Sequence, residues 1–295
     1  MSPWRLIPLL AASAANAYAH AGEPPEPHDL WGAWSLDPGV VVPLALTALL
    51  FAAGAKRSRG VSASQAACFW LGWLVLAVAL LSPLHRLGEA LFSAHMAQHA
   101  FLMLLAAPLL VLSRPLIPIL WGLPIRWRRA LGQWSKKPLV TRSWFAVTRP
   151  AVAWCVHAAA LWLWHAPRLF QATLTSDWIH SAQHISFLGS ALLFWWSLFY
   201  AQGRTGYGSS VLYIFTTAVH TSILGALLTF AVAVWYPDYA PTTATWGVLP
   251  LEDQQIGGLI MWIPAGVVYL GAGLWLLALW LRESDNLANQ RRYAQ

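Results

Sequence analysis

The peptide His-x-Ala-Gln-His stands twice in this chain, at His95–His99 and at His180–His184, each time near the start of a long apolar run. On a helix, residues four apart share a face and are separated by about 6 Å along the axis, so each copy aims two imidazoles the same way. Imidazoles inside a bilayer are costly, and a metal, a cofactor or a proton path is what usually retains them. A single such residue is more often a hydrogen-bonded interior histidine; the same pentapeptide twice at matching depth favours a shared site. Other donors fall at the same level. His165 closes the run Trp162-Leu-Trp-His, Asp253 opens the last apolar run beside Gln254 and Gln255, and Met103 continues the His95–His99 face one turn deeper. Met261 lies two turns beyond Gln254. Imidazole with thioether suits copper, Cu(I) above all, better than zinc or magnesium. The candidate metal set is therefore His95, His99, His180, His184, His165, Met103, Met261 and Asp253.

The remaining histidines and cysteines are less telling. His157 reads as a hydrogen-bonding residue, His220 as either that or a step on an inward path, and His85 as a surface residue or an entry ligand. Cys68 and Cys155 form no Cys-x-x-Cys pair and read as small apolar packers. No nucleophile stands beside a base, no glycine-rich loop awaits a phosphate, and no carboxylates are paired, so an enzyme is not expected.

The elements that must position these groups are membrane helices. Hydrophobic residues make up 58% of the chain and charged residues 10%, with a mean hydropathy of +0.53. That balance excludes an ordinary soluble domain and points to an all-α, polytopic integral membrane protein. Residues 1–19, with Arg5, an apolar stretch and Ala17-Tyr18-Ala19, read as a cleaved signal peptide. Cleavage there would expose His20 as an amine-plus-imidazole chelator of Cu(II). Residues 20–38 form a short periplasmic lead. Seven spans are expected at 39–55, 65–83, 91–112, 150–166, 178–200, 208–235 and 255–281, within a membrane domain over 39–282 and before a tail at 283–295.

Charge sets the orientation. Fifteen Lys and Arg residues lie in alternate loops and the tail, and only Arg86 and Arg168 lie on the other side. Nine of the eleven acids lie with those two. The positive-inside rule then puts the N-terminus outside and the C-terminus in the cytoplasm of a seven-helix bundle. The pI of 9.8 thus reports topology rather than nucleic-acid binding. Both His pairs enter from the outer face. The stretch 124–134 mixes basic and aromatic residues and reads either as an interfacial helix on membrane lipid or as a solvated loop.

At these residues the chain resembles the CtaG family of multi-span cytochrome c oxidase assembly factors associated with caa-type oxidases. The resembling stretches are Ser82–His99, the Trp164-His-Ala-Pro turn, Asp177–His184, His220–Phe230 and Leu251–Gly266. The resemblance implies a seven-span protein of the bacterial inner membrane that helps to mature a haem–copper oxidase at its copper centre. A nascent oxidase subunit and a periplasmic copper donor would be its partners. Two departures stand out: His85 where relatives carry an acid, and Ala107-Pro108 where a double proline is usual, near a kink. Two other readings remain. Histidines on adjacent spans also suit a bis-imidazole haem in an electron-transfer protein, although i,i+4 spacing forbids two stacked haems. A metal-ion transporter would need polar groups reaching the basic side, where the spans carry no acid.

Overall fold

The computed structural model describes residues 24–58, 60–200 and 202–293, without the side chains of 202–205 and 285–293. The expected signal peptide and His20 lie outside the described residues. All regular structure among them is helical: α1 Pro38–Ser58, α2 Ala63–Leu81, α3 Pro83–Ala90, α4 Phe92–Ala100, a π-helical segment Phe101–Ala106, and α5 Ala107–Ser113. Then come α6 Leu116–Gly122, α7 Ile125–Trp134, α8 Pro138–Val147, α9 Pro150–Trp164, α10 Pro167–Thr175, α11 Asp177–Tyr200, α12 Gln202–Thr229, α13 Ala240–Thr245 and α14 Pro250–Tyr293. Prolines punctuate this order. α3, α8, α9, α10 and α14 each begin on one, where the missing N–H is no loss and the fixed φ suits a first turn. α2 begins instead on a capping box, in which Ser62 and Gln65 satisfy each other's backbone N–H.

Five helices are long and apolar enough to cross a membrane: Pro38–Ser58, Ala63–Leu81, Phe92–Ser113, Gly206–Thr229 and Pro250–Ser284. Pro138–Val147 and Pro150–Trp164, bent by 67°, make a sixth if taken as one span. Three expectations change. α11 has the 24 residues of a span, but His180, Gln183 and His184 hold down the hydropathy of its first turns. The expected sixth span stops at Thr229 rather than 235, and the irregular backbone beyond it is tied to α14. Gln254 accepts from Trp235 N at 2.6 Å and donates to Ala233 O, and Gln255 donates to Ala231 O. Protein groups thus replace the missing helical hydrogen bonds, the condition for irregular backbone at membrane depth. α14 runs for 44 residues, about 66 Å at 1.5 Å per residue, well beyond the expected 255–281.

The loop 113–149 folds into three short helices. α6 turns back against α1, where a Cβ on Gly54 would collide with the Pro118 carbonyl and one on Gly122 with that of Leu50. Only glycine permits so close a backbone approach. α7 carries exposed Trp127 and Trp134 among arginines, and Arg128 covers the Trp121 ring at 4.2 Å.

The π segment has a local cause. Ala107 N bonds Leu102 O, a wide-turn pairing, and the next such pairing would need an N–H from Pro108, which has none. Met103 O is thereby orphaned, and the buried Trp195 indole donates to it at 2.9 Å. This π segment stands where Ala107-Pro108 is expected to soften a kink. Trp195→Phe keeps an aromatic ring but removes the indole N–H and strands the carbonyl, so a loss of about 1–2 kcal/mol is expected in detergent unfolding of the purified protein.

Candidate metal centre

The helix carrying the first His pair starts without help from its own sequence, because Leu91 at its N-cap has no side-chain oxygen. Asp253 supplies it from the first turn of α14. Its Oδ2 accepts from Phe92 N at 2.6 Å and its Oδ1 from Ser93 N at 3.1 Å. One turn on, Gly257 leaves room for the Phe92 ring, which a Cβ there would strike. α14 therefore grips the start of α4 and sets its depth and rotation. Asp253, expected among the ligands, is placed as this cap, with both oxygens spent on backbone N–H groups.

Below the cap, five imidazoles meet. His95 and His99 lie 4.3 Å apart between ring centres, and His180 and His184 lie 4.4 Å apart. Across the helices, His95 is 5.3 Å from His180, His99 is 5.4 Å from His184, and His85 of α3 stacks on His180 at 5.4 Å. The two pentapeptides are thus brought face to face. Their repeated glutamine has work that its spacing alone did not reveal. Gln98 donates to Ala79 O at 2.7 Å and to His85 Nδ1 at 2.8 Å, while the Gln183 amide sits 3.1 Å from His95 Nε2. His95 Nδ1 faces the carbonyl of Gly88 at 3.3 Å and its Nε2 faces Gln183 Oε1 at 3.1 Å, two acceptors of which a neutral ring can donate to only one. Tyr239 donates to the same Gly88 carbonyl at 2.8 Å. With the proton on Nδ1, the backbone-anchored form usual at metal sites, the Nε2 lone pair is left facing the Gln183 oxygen, and a cation between them resolves that contact.

Four buried ring nitrogens here have no hydrogen-bond partner: both of His99, and Nε2 of His180 and of His184. An unpaired buried polar atom costs about 1–3 kcal/mol, and four in one cluster call for a shared occupant. The donor set fits a metal. Nitrogens of His95, His99 and His184 lie within 4.8 Å of one another, as do those of His85, His180 and His184. Bonds of about 2.0–2.1 Å bring neighbouring nitrogens to about 3–4 Å, so small rotations would close either group. His85, in the segment between spans, is held down to about pKa 4, first by burial and then by neighbouring His180 and Arg86. It is neutral at pH 7. Glu89 close by is pushed up by burial, against the pull of Arg86 at 2.7 Å.

The other expected donors gather separately. His165, Met103 and Met261 line a cavity of about 30 Å³ together with His99, His157 and Met96. Met96, the x of the first pentapeptide, points to this side of α4 and was not singled out from the sequence. A methionine adjacent to a helical His pair was the available signal. His157 bonds Ser190 Oγ at 3.0 Å, and His220 packs edge-on to Trp154 at 5.2 Å.

Taken together, helices long and apolar enough for a bilayer and a buried histidine–methionine centre between them define a polytopic helical membrane protein. The chain belongs to the family described as cytochrome c oxidase caa3 assembly factor, whose family model matches residues 47–283. Among curated proteins it is similar to an uncharacterized protein of Mycobacterium bovis, 25% identical over 279 residues, which cover 91% of this chain and 42% of that one. An uncharacterized protein of Mycobacterium leprae is 23% identical over 282 residues, 90% of this chain and 42% of the relative. The chain thus spans about two-fifths of the length of these relatives. No solved structure matches.

Proposed function

We propose that this chain binds copper in the imidazole cluster at the acidic end of the bundle and aids its delivery to a haem–copper oxidase subunit. The observation that carries the reading is the set of four unpartnered nitrogens on His99, His180 and His184, within reach of His95 and His85. Membership of an oxidase assembly family supplies the recipient. In this reading the bundle has seven spans in a bacterial inner membrane, with the N-terminus and the cluster toward the periplasm and the basic loops in the cytoplasm. A periplasmic donor then meets the acidic face, and α7 rests on lipid.

Delivery demands a site that holds without closing. Gln183 fits that need: its Oε1 faces His95 Nε2 and can accept an N–H there once the ion has left, which steadies the metal-free ring. Haem suits the cluster poorly: ring centres 4–6 Å apart leave no gap for a macrocycle between the two pairs. The test is the metal and haem content of detergent-purified full-length protein. At least one copper per chain with no Soret absorption is the expected result; a Soret band, or protein that stays free of copper under saturating metal, rejects the reading.

A further inference from the structure

The imidazole cluster and the Asp253 cap leave His165, Met103 and Met261 of the candidate donors unexplained. Three of the chain's four methionines, Met96, Met103 and Met261, converge on one cavity of about 30 Å³ beneath the cluster, from α4, the π segment that continues it and α14. Convergent methionines alone would read as soft packing. His165 argues otherwise. Its Nδ1 lies 2.7 Å from Leu161 O, a group that can only accept, so Nδ1 carries the proton. Its Nε2 is then a lone pair, and it points at the Met96 sulfur 3.4 Å away. Two electron-pair donors face each other in a buried pocket with no proton between them. A cation between imidazole nitrogen and thioether resolves that contact, and the separation is close to that of two ligands on one small ion. The cavity holds no carboxylate, so its charge capacity suits a monovalent ion, and neutral thioethers select Cu(I).

His99 joins the two compartments. It lines this cavity, lies 4.3 Å from His95 and 5.4 Å from His184 by ring centres, and spends neither ring nitrogen on a hydrogen bond. We infer that the protein contains a second, Cu(I)-selective site formed by Met96, Met103, Met261 and His165, reached from the imidazole cluster through His99. The ion moves by ligand exchange alone and keeps its oxidation state. The inference extends the copper reading of the cluster, but the pocket's donor set is independent of it.

The test uses full-length protein in detergent, with Cys68→Ser and Cys155→Ser so that methionine is the sulfur source. It is titrated anaerobically with Cu(I) against a chromophoric chelator, and the bound ion is examined by X-ray absorption. Wild-type ligands should give a sulfur-coordinated equivalent beyond the nitrogen-coordinated one. Met96→Leu/Met103→Leu/Met261→Leu, which keeps side-chain volume, should lose that equivalent and the sulfur signal while keeping the other. His180→Ala/His184→Ala should do the reverse. A purely nitrogen shell at full Cu(I) loading of the unsubstituted site overturns the inference without the variants. An unchanged sulfur signal in the triple leucine protein overturns it too. Loss of the nitrogen-bound ion alone would count against the cluster and leave this pocket standing.

Discussion

In His95→Ala/His99→Ala, Cu(II) held by the imidazole cluster is expected to weaken by more than about 100-fold. Loss of an outer partner to a metal-binding histidine commonly costs about 10–100-fold by itself, and this change removes two donors. What remains is the weaker group of His85, His180 and His184, which closes only if His85 gives up its bond from Gln98. His180 and His184 offer one open Nε2 each, and His85 has its Nδ1 occupied by Gln98. Two imidazoles make a poor closed shell. The measurement is electron paramagnetic resonance of aerobically loaded, detergent-purified protein, which reads Cu(II) and leaves any Cu(I) in the methionine pocket silent. An opposite comparison sharpens it: Gln183→Leu removes only the oxygen that faces His95 Nε2 in the metal-free ring and should tighten Cu(II) binding by up to about 10-fold. Equal Cu(II) binding in the double variant and the unsubstituted protein would remove these residues from the function.

Asp253→Ala is expected to be the most damaging single change to stability, by about 3 kcal/mol. A buried and a half-buried backbone N–H at a helix start lose their acceptor at once, and the N-cap residue Leu91 has no side-chain oxygen to replace it. A capping interaction is worth about 1 kcal/mol, and each hydrogen bond to a charged group about 1.5–3. Asp253→Asn keeps one accepting oxygen but turns an N–H donor toward the second amide, so it should fall between. Thermal unfolding in detergent gives the ranking, and hydrogen exchange at the Phe92 and Ser93 amides shows whether the cap itself is lost. Because this cap holds the turn that carries His95, copper binding should weaken in parallel. Fast exchange at those two amides in the unsubstituted protein would show that the cap does not form.

Asp253 also marks how far the chain can be read without its fold. Its depth and its neighbours Gln254 and Gln255 placed it in the right layer, yet its partners are the amides of residues more than 150 positions away. The same holds for the donors. The i,i+4 pairs of His95–His99 and His180–His184 were legible because helical periodicity is local. So was the start of α9 at Pro150, whereas the short helices α3 and α10 fall in stretches expected to be loops between spans. Family membership, too, was legible in ordered motifs from Ser82 to Gly266.

The division of the donors into two compartments was not legible. His95 and His99 face imidazoles, whereas Met96 faces His165 across the helix, and His99 alone reaches both groups. Nor was the stacking of His85 on His180, since α3 is a short helix whose position depends on contacts with α4 and with Tyr239. Spacing along one helix determines which side chains share a face. Which faces meet is decided by helix rotation and depth, and here these follow from the Asp253 cap and the Gly257 contact, both set by packing between distant segments, together with the π turn forced locally ahead of Pro108.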